Sequence, residues 1–253
     1  INEELTVDDS LFLYHDVCTN GIGYVDLMFK TDSIAPEQIP YLGLLKSVLG
    51  YVDTENYTYG ELFNEINANT GGINCGVEVF DRADSTEEFQ AMFSVRGKAL
   101  YTKMDFLFKM IGEILNSSKL EDTKRLYEIV ASVKSRAQVN LTGAGHSTAV
   151  LRAAAYSSPM AAFQDEMAGI GYYQFIEKLE KDFEQRKEET VEELCKLMKK
   201  ILRPENFMIS YTGERESLET VQKLAGAVKA GLGTEPVEKS KEKLTCTKKN
   251  EGF

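Results

Sequence analysis

The 253-residue sequence has few of the residues that metal and nucleophilic catalysis need, with two histidines and four cysteines. The histidines, His15 and His146, lie far apart in the sequence, whereas a catalytic zinc usually takes three protein ligands. No HExxH or HxxEH zinc motif, GxSxG nucleophile turn or Walker phosphate loop occurs. We therefore predict no catalytic residue, no metal site and no cofactor within this chain.

Long apolar stretches and export signals are also missing. No apolar run approaches the ~18 residues of a membrane-spanning helix, and residues 1–4 are acidic where a secretory signal would be basic. The cysteines lie far apart without a CxxC pair, which fits free thiols in a reducing compartment. We therefore expect a cytoplasmic protein with no membrane partner. The sequence starts without Met, which we interpret as a cut made by processing or by design.

The net charge of −11 is concentrated in the first part of the chain. Residues 1–100 contain 17 acidic and 5 basic side chains, which leaves 23 acidic and 24 basic ones in residues 101–253. This distribution argues against nucleic acid and anionic membranes as partners. It would attract basic peptides, although solubility alone is a sufficient reason for surface acidity.

Hydrophobic periodicity and turn signals predict an α+β fold. Alternating or continuous apolar residues predict five strands, over 11–15, 22–30, 73–80, 89–98 and 207–211. Helical spacing predicts helices over 36–52, from Thr58 to 69, 104–115, 120–141, 148–157, 159–169, 172–202 and 217–230. We expect a mostly antiparallel sheet of about five strands, with helices packed mainly on one face.

Composition divides the chain near its end. Residues 1–233 have the apolar content of a single α+β domain, whereas residues 234–253 are dominated by Lys, Glu and Thr. A segment with so little to bury is typical of a linker. We interpret residues 234–253 as a linker to a missing following domain.

Three stretches carry a resemblance to a known family. They are residues 13–16 with 19–24, residues 69–73, and residues 145–152 followed by 169–175. By their order and spacing the chain resembles the third, non-catalytic domain in the presequence protease branch of the insulinase-type zinc metallopeptidases. The resemblance covers nearly the whole chain, and none of the three stretches is a catalytic motif.

The resemblance implies a role inside a larger enzyme. Such peptidases are chains of four similar domains that enclose a chamber for unfolded peptides. The first domain holds zinc through an inverted motif and a downstream Glu, and the last supplies an Arg and a Tyr. This chain matches neither region, so no catalytic or zinc-binding residue can be assigned in it. The implied partners are the other domains of the same polypeptide and unfolded, basic peptides.

Two other functions remain open from the sequence. The chain could be a catalytically inactive, stand-alone homologue that serves as an interaction scaffold. It could also be a self-sufficient hydrolase with an unrecognised site, although the absent zinc motif argues against that interpretation.

Gly71, Gly72, Ile73 and Asn74 are the candidate peptide contacts, since they begin a predicted strand. If that strand is at a sheet edge, it could pair with a peptide backbone. Alternatively, the two glycines only make a tight turn. For His146 and Arg152, which lie within the stretches of resemblance, we expect structural roles, with Arg152 close enough to contact Tyr156 four residues on.

Overall fold

A computed structural model of the chain describes residues 2–240, 242 and 244–247, apart from the side chains of Arg82, Thr86 and Glu87. The described part contains six strands: β1 Asn2–Val7, β2 Ser10–Asp16, β3 Ile22–Lys30, β4 Ile73–Arg82, β5 Ser85–Leu100 and β6 Phe207–Gly213. It also contains nine α-helices: α1 Ile39–Val48, α2 Tyr59–Asn69, α3 Met104–Ser117, α4 Thr123–Gly143, α5 Gly145–Ala154, α6 Pro159–Ala168, α7 Ile170–Lys181, α8 Phe183–Ile201 and α9 Leu218–Ala230.

All six strands form one sheet in the order β1-β2-β6-β3-β5-β4. Only the pairing of β2 with β6 is parallel among the described strands. The helices pack on the face that carries Phe12, Leu27, Phe93 and Ile209, all of which are fully buried. The predicted α+β class and the mostly antiparallel sheet are therefore confirmed.

The sheet has one strand more than we predicted. In β1, Leu5 and Val7 pack against the core while Glu4 and Thr6 are exposed, so the strand has the alternation of a half-buried strand. It pairs with β2 through a two-residue turn in which Asp8 and Asp9 have φ of 47° and 65°. Two positive φ angles give a hairpin turn whose twist matches the strands. The acidic composition of this segment concealed the strand.

Two other boundaries differ from the prediction. The predicted strands end at 80 and resume at 89, but β4 and β5 extend into the polar segment between them and leave only positions 83 and 84 outside both strands. The expected single helix over 172–202 is interrupted at Asp182. Leu179 and Phe183, on either side of the interruption, keep a spacing of four residues and are both buried. Because the apolar spacing stays regular across Asp182, the sequence pattern gives no sign that the helix breaks there.

The start of α2 follows the sequence pattern closely. Thr58 precedes the helix, and its Oγ1 accepts a hydrogen bond from the Glu61 backbone N–H at 3.3 Å. The Glu61 carboxylate in turn accepts one from the Thr58 backbone N–H at 2.9 Å. This reciprocal capping satisfies two helix-terminal donors and fixes where α2 begins.

A buried ion pair holds three helices together. Arg152 of α5 pairs with Asp165 of α6, and their side chains are 3% and 0% exposed. The same carboxylate accepts hydrogen bonds from the backbone N–H groups of Ile170 and Gly171, at 3.0 and 3.2 Å, at the start of α7. A Cβ on Gly169 would lie 2.5 Å from the Asp165 carboxylate, so only glycine allows this approach. Arg152 thus has a structural role, and its contact with Tyr156 stays a prediction.

The described residues after position 233 contain neither helix nor strand. Ser240 N–H donates to the Ser33 carbonyl at 3.1 Å, and Thr247 N–H donates to the Ala155 carbonyl at 2.8 Å. Leu244 packs against the core. Positions 241, 243 and 248–253 of the expected linker lie outside the described residues.

Replacing Asp165 with Asn should lower the free energy of unfolding by about 3–5 kcal/mol, because it leaves the buried guanidinium of Arg152 without its counter-charge. Urea denaturation followed by circular dichroism measures the change. The matched control is Glu189→Gln, which removes a half-exposed carboxylate paired with Arg186 at 3.1 Å. That control should cost less than about 1 kcal/mol. Equal losses in the two variants would contradict a special role for the buried pair.

Candidate functional site

The strand β4 lies at one edge of the sheet, and among the described strands it pairs only with β5. In an antiparallel pair, alternate residues turn their N–H and C=O groups towards the partner strand. Every second residue of β4 therefore presents these groups outward, where they can template another strand. The strand that begins at Ile73 meets the geometric condition for pairing with a peptide.

The turn into β4 accounts for the two glycines. Gly72 has φ of +102°, a backbone conformation that residues with a side chain rarely adopt. Its N–H donates to the Thr70 Oγ1 at 3.0 Å, and the Gly71 N–H donates to the Lys98 carbonyl at 2.7 Å. These contacts favour the interpretation that the glycines make a tight turn. They leave Asn74 exposed beyond the turn.

A cleft of about 560 Å³, which we call the β4 groove, runs along the outer edge of this strand. One wall is Gly72 with β4 from Ile73 to Glu78, and the other comes from α1, α2, α3, α4 and the segment that follows α1. The side chains from that second wall include Lys46, Ser47, Leu49, Tyr51, Phe63, Ile66, Asn67 and Arg136. Three of the predicted contacts, Gly72, Ile73 and Asn74, lie in this groove.

The groove carries uneven charge. Lys46 is half-buried near the end of α1, and burial lowers the pKa of its ammonium group. Arg136 comes from the exposed side of α4. The third charged side chain in the lining, Glu78, forms an ion pair with Arg96 at 3.2 Å. Sequence reasoning missed both cations, although Lys46 is a lone charge in the otherwise apolar helix α1.

A second cleft, of about 310 Å³, opens on the sheet face opposite the helices. Gly71, Gly72 and Asn74 line it together with residues of β3, β5 and β6. Its charges are largely paired, since Arg96 contacts Asp26 at 2.7 Å and also pairs with Glu78. Burial raises the pKa of Asp26, although the Arg96 guanidinium opposes this shift. The four candidate contacts therefore lie between two clefts, one on each side of β4.

Among the side chains in the described part of the chain, no group of three or more His, Cys, Asp or Glu residues could hold a metal ion. His15 shares a hydrogen bond of 2.8 Å with the Asn2 side chain, and His146 is exposed on α5. The two histidines are not brought together. The zinc that the family resemblance implies therefore has no fitting ligand set among these residues.

The fold is that of an M16 peptidase domain. The structure of the peptidase M16 inactive domain from Pseudomonas fluorescens superposes with a TM-score of 0.60 at 14% sequence identity, over 95% of this chain and 53% of that one. At this identity the likeness concerns the fold alone. The chain therefore shares the α+β architecture of this M16 peptidase domain.

Sequence comparison identifies the family. Residues 1–179 match the family of domains associated with peptidases of family M16, subfamily C, and the chain belongs to it. The chain is 33% identical over 251 residues to Protein HypA of Clostridium perfringens, covering 99% of this chain and 26% of that protein. It is 29% identical over 168 residues to the mitochondrial presequence protease of Yarrowia lipolytica, covering 66% and 17%. The chain thus spans about a quarter or less of these relatives.

Substituting Gly72 with Ala should lower the free energy of unfolding by about 1–3 kcal/mol, because φ of +102° strains any residue with a Cβ. Gly60→Ala is the matched control, since Gly60 has open space around it in α2 and an ordinary φ. Thermal unfolding of both variants checks the difference. A Gly72 variant as stable as the control would show that the turn does not need glycine.

The thiol of Cys75 should resist alkylation. Burial raises its pKa to about 12, and its side chain packs against the core from β4. Reactivity requires the thiolate, so Cys75 should react at least about ten times more slowly at pH 8 than the exposed Cys18. Timed iodoacetamide labelling with peptide mass spectrometry gives both rates. Comparable rates would indicate that β4 opens readily from β5.

Proposed function

We propose that this chain is a non-catalytic domain of a zinc-dependent, oligopeptide-degrading metalloendopeptidase, in which it forms part of the wall of the peptide-enclosing chamber. The observation that carries the proposal is membership of this peptidase-associated family in a chain whose described residues offer no metal ligand set. The zinc and the catalytic residues would then be held by another domain of the same polypeptide.

Other domains of that polypeptide are the proposed partners. The chain spans 26% of Protein HypA, which leaves room for several further domains in a protein of that length. Val139 on α4 and Val150 on α5 are each 68% exposed. Covering such exposed apolar side chains would stabilise the contact with a neighbouring domain. We propose residues 1–233 as the domain and 234–253 as the connection to the next one.

Unfolded peptides are the proposed ligands, and the contacts proposed for them are Gly71, Gly72, Ile73 and Asn74. The open edge of β4 supports this choice because a peptide backbone can add to it as a strand. The excess of 12 acidic charges in residues 1–100 favours the approach of basic peptides at long range. It disfavours nucleic acid and anionic membranes.

A cytoplasmic location is proposed for the protein. All four cysteines are unpaired, as expected in a reducing compartment. Among the described helices, none has the length and apolar character to cross a bilayer. Some relatives are named as mitochondrial or chloroplastic proteases, and cell fractionation would distinguish these compartments.

The first test is the size of the natural polypeptide. An antibody raised against this chain should detect, on a denaturing gel of source-cell lysate, a band several times larger than 28.4 kDa. The immunoprecipitated polypeptide should cleave an unstructured peptide, lose activity with a zinc chelator and regain it with Zn²⁺. The isolated 253-residue chain is the matched control and should not cleave.

A band close to 28.4 kDa would contradict the proposal. It would mean that the domain is made alone, and the stand-alone scaffold would then be the better interpretation. Metal-dependent cleavage by the isolated chain would contradict both interpretations and favour a self-sufficient hydrolase.

A further inference from the structure

The β4 groove contains two cations without an anionic partner. Neither Lys46 nor Arg136 forms a hydrogen bond or an ion pair within the described part of the chain. The carboxylate of Glu78, which also lines the groove, is held by Arg96 instead. The groove is therefore locally positive in a chain whose net charge is −11.

A half-buried ammonium group without a counter-charge is costly. Lys46 loses hydration where α1 packs, and no carboxylate among the described residues offsets that loss. Arg136 brings a second positive charge to the groove from α4. A ligand carboxylate placed between the two would recover favourable charge interactions that the chain itself leaves unused.

The shape of the groove selects the kind of ligand. One wall is the unpaired edge of β4 over the six positions 73–78, long enough for a strand of typical length. The other wall exposes Tyr51 and Phe63, which are 51% and 59% exposed and offer apolar contact area. β4 also continues beyond Glu78 to Arg82, so a paired segment can run past the groove.

We propose that an extended peptide adds to β4 as a seventh strand and places an acidic side chain between Lys46 and Arg136. This proposal rests on the proposed function, since it takes unfolded peptides as the ligands. The carboxylate belongs to a side chain rather than to the C-terminus, because a segment that runs past the groove carries its terminus beyond it. The acidic surface guides basic peptides at long range, whereas the groove selects one acidic position at contact.

Fluorescence anisotropy with the 253-residue chain tests the charge selection. The probes are fluorescein-labelled, C-terminally amidated peptides of about twelve residues, built from alternating valine and threonine and carrying Glu, Gln or Lys at the centre. The Glu peptide should bind at least about tenfold more tightly than the Gln peptide, and the Lys peptide should bind most weakly. Equal affinity for the three peptides would overturn the proposal.

Variants of Lys46 and Arg136 test whether the β4 groove causes the preference for the Glu peptide. Lys46→Met keeps the apolar stem of the side chain, and combining it with Arg136→Gln should reduce the Glu-over-Gln preference to less than about twofold. The matched control combines Lys124→Gln with Lys223→Gln, which removes two exposed charges elsewhere and should keep the preference. A preference that persists in the groove variant would overturn the proposal.

A second variant covers the case in which the change at Lys46 unfolds α1. Arg136→Glu alters only an exposed side chain and should shift the preference from the Glu peptide towards the Lys peptide. Circular dichroism confirms that each variant is folded. An unchanged preference in this variant would also overturn the proposal.

Modified peptides test the strand pairing and the source of the carboxylate. Methylating alternate backbone nitrogens should abolish binding for one of the two alternate sets and spare the other, because a strand donates from every second residue. A Gln peptide with a free C-terminus should bind no better than its amidated form. If it bound as tightly as the Glu peptide, the side-chain assignment would be wrong. These outcomes are independent of the size and zinc dependence of the natural polypeptide.

Discussion

The insertion of β6 between β2 and β3 is the constraint on which the rest of this fold depends. Residues 207–213 return from the far end of the chain to pair with strands formed by its first thirty residues. Tyr211 stacks on Tyr14 with ring centroids 5.9 Å apart, and Phe207 packs on Phe29 at 5.3 Å. Because β6 pairs with β2 on one side and with β3 on the other, it joins the two halves of the sheet, and β1 and β4 are the edge strands.

The position of β4 at an edge gives the domain its candidate site. The helices that cover one face of the sheet end beside this edge, and the space between them forms the β4 groove. Cations from α1 and α4 face it, while the acidic residues of the first hundred positions are distributed elsewhere or paired, as Glu78 and Asp26 are with Arg96. Local charge in the groove is thus opposite to the net charge of the chain.

The third stretch of family resemblance, residues 145–152 with 169–175, is explained by helix packing. Asp165 joins Arg152 to the start of α7. Gly169 and Gly171 lie against its carboxylate, where a Cβ at either position would be too close. Tyr172 is buried just beyond, and Phe175 packs edge-on against Tyr41 at 4.8 Å. The residues of this stretch therefore serve the packing of α5, α6 and α7 around one buried ion pair.

Sequence periodicity by itself determined the α+β class, the five longer strands and the capped start of α2, because these depend on neighbours close along the chain. The short strand β1 was missed because its acidic residues weaken the apolar alternation that predicts a strand. The break at Asp182 was missed because the apolar residues on either side of it keep a regular helical spacing. The sequence left the glycines before β4 open between a tight turn and a peptide contact, and it did not link Lys46 and Arg136 to them. Only the tertiary structure brings these residues, far apart in the sequence, to one edge, because strand order is decided by long-range pairing.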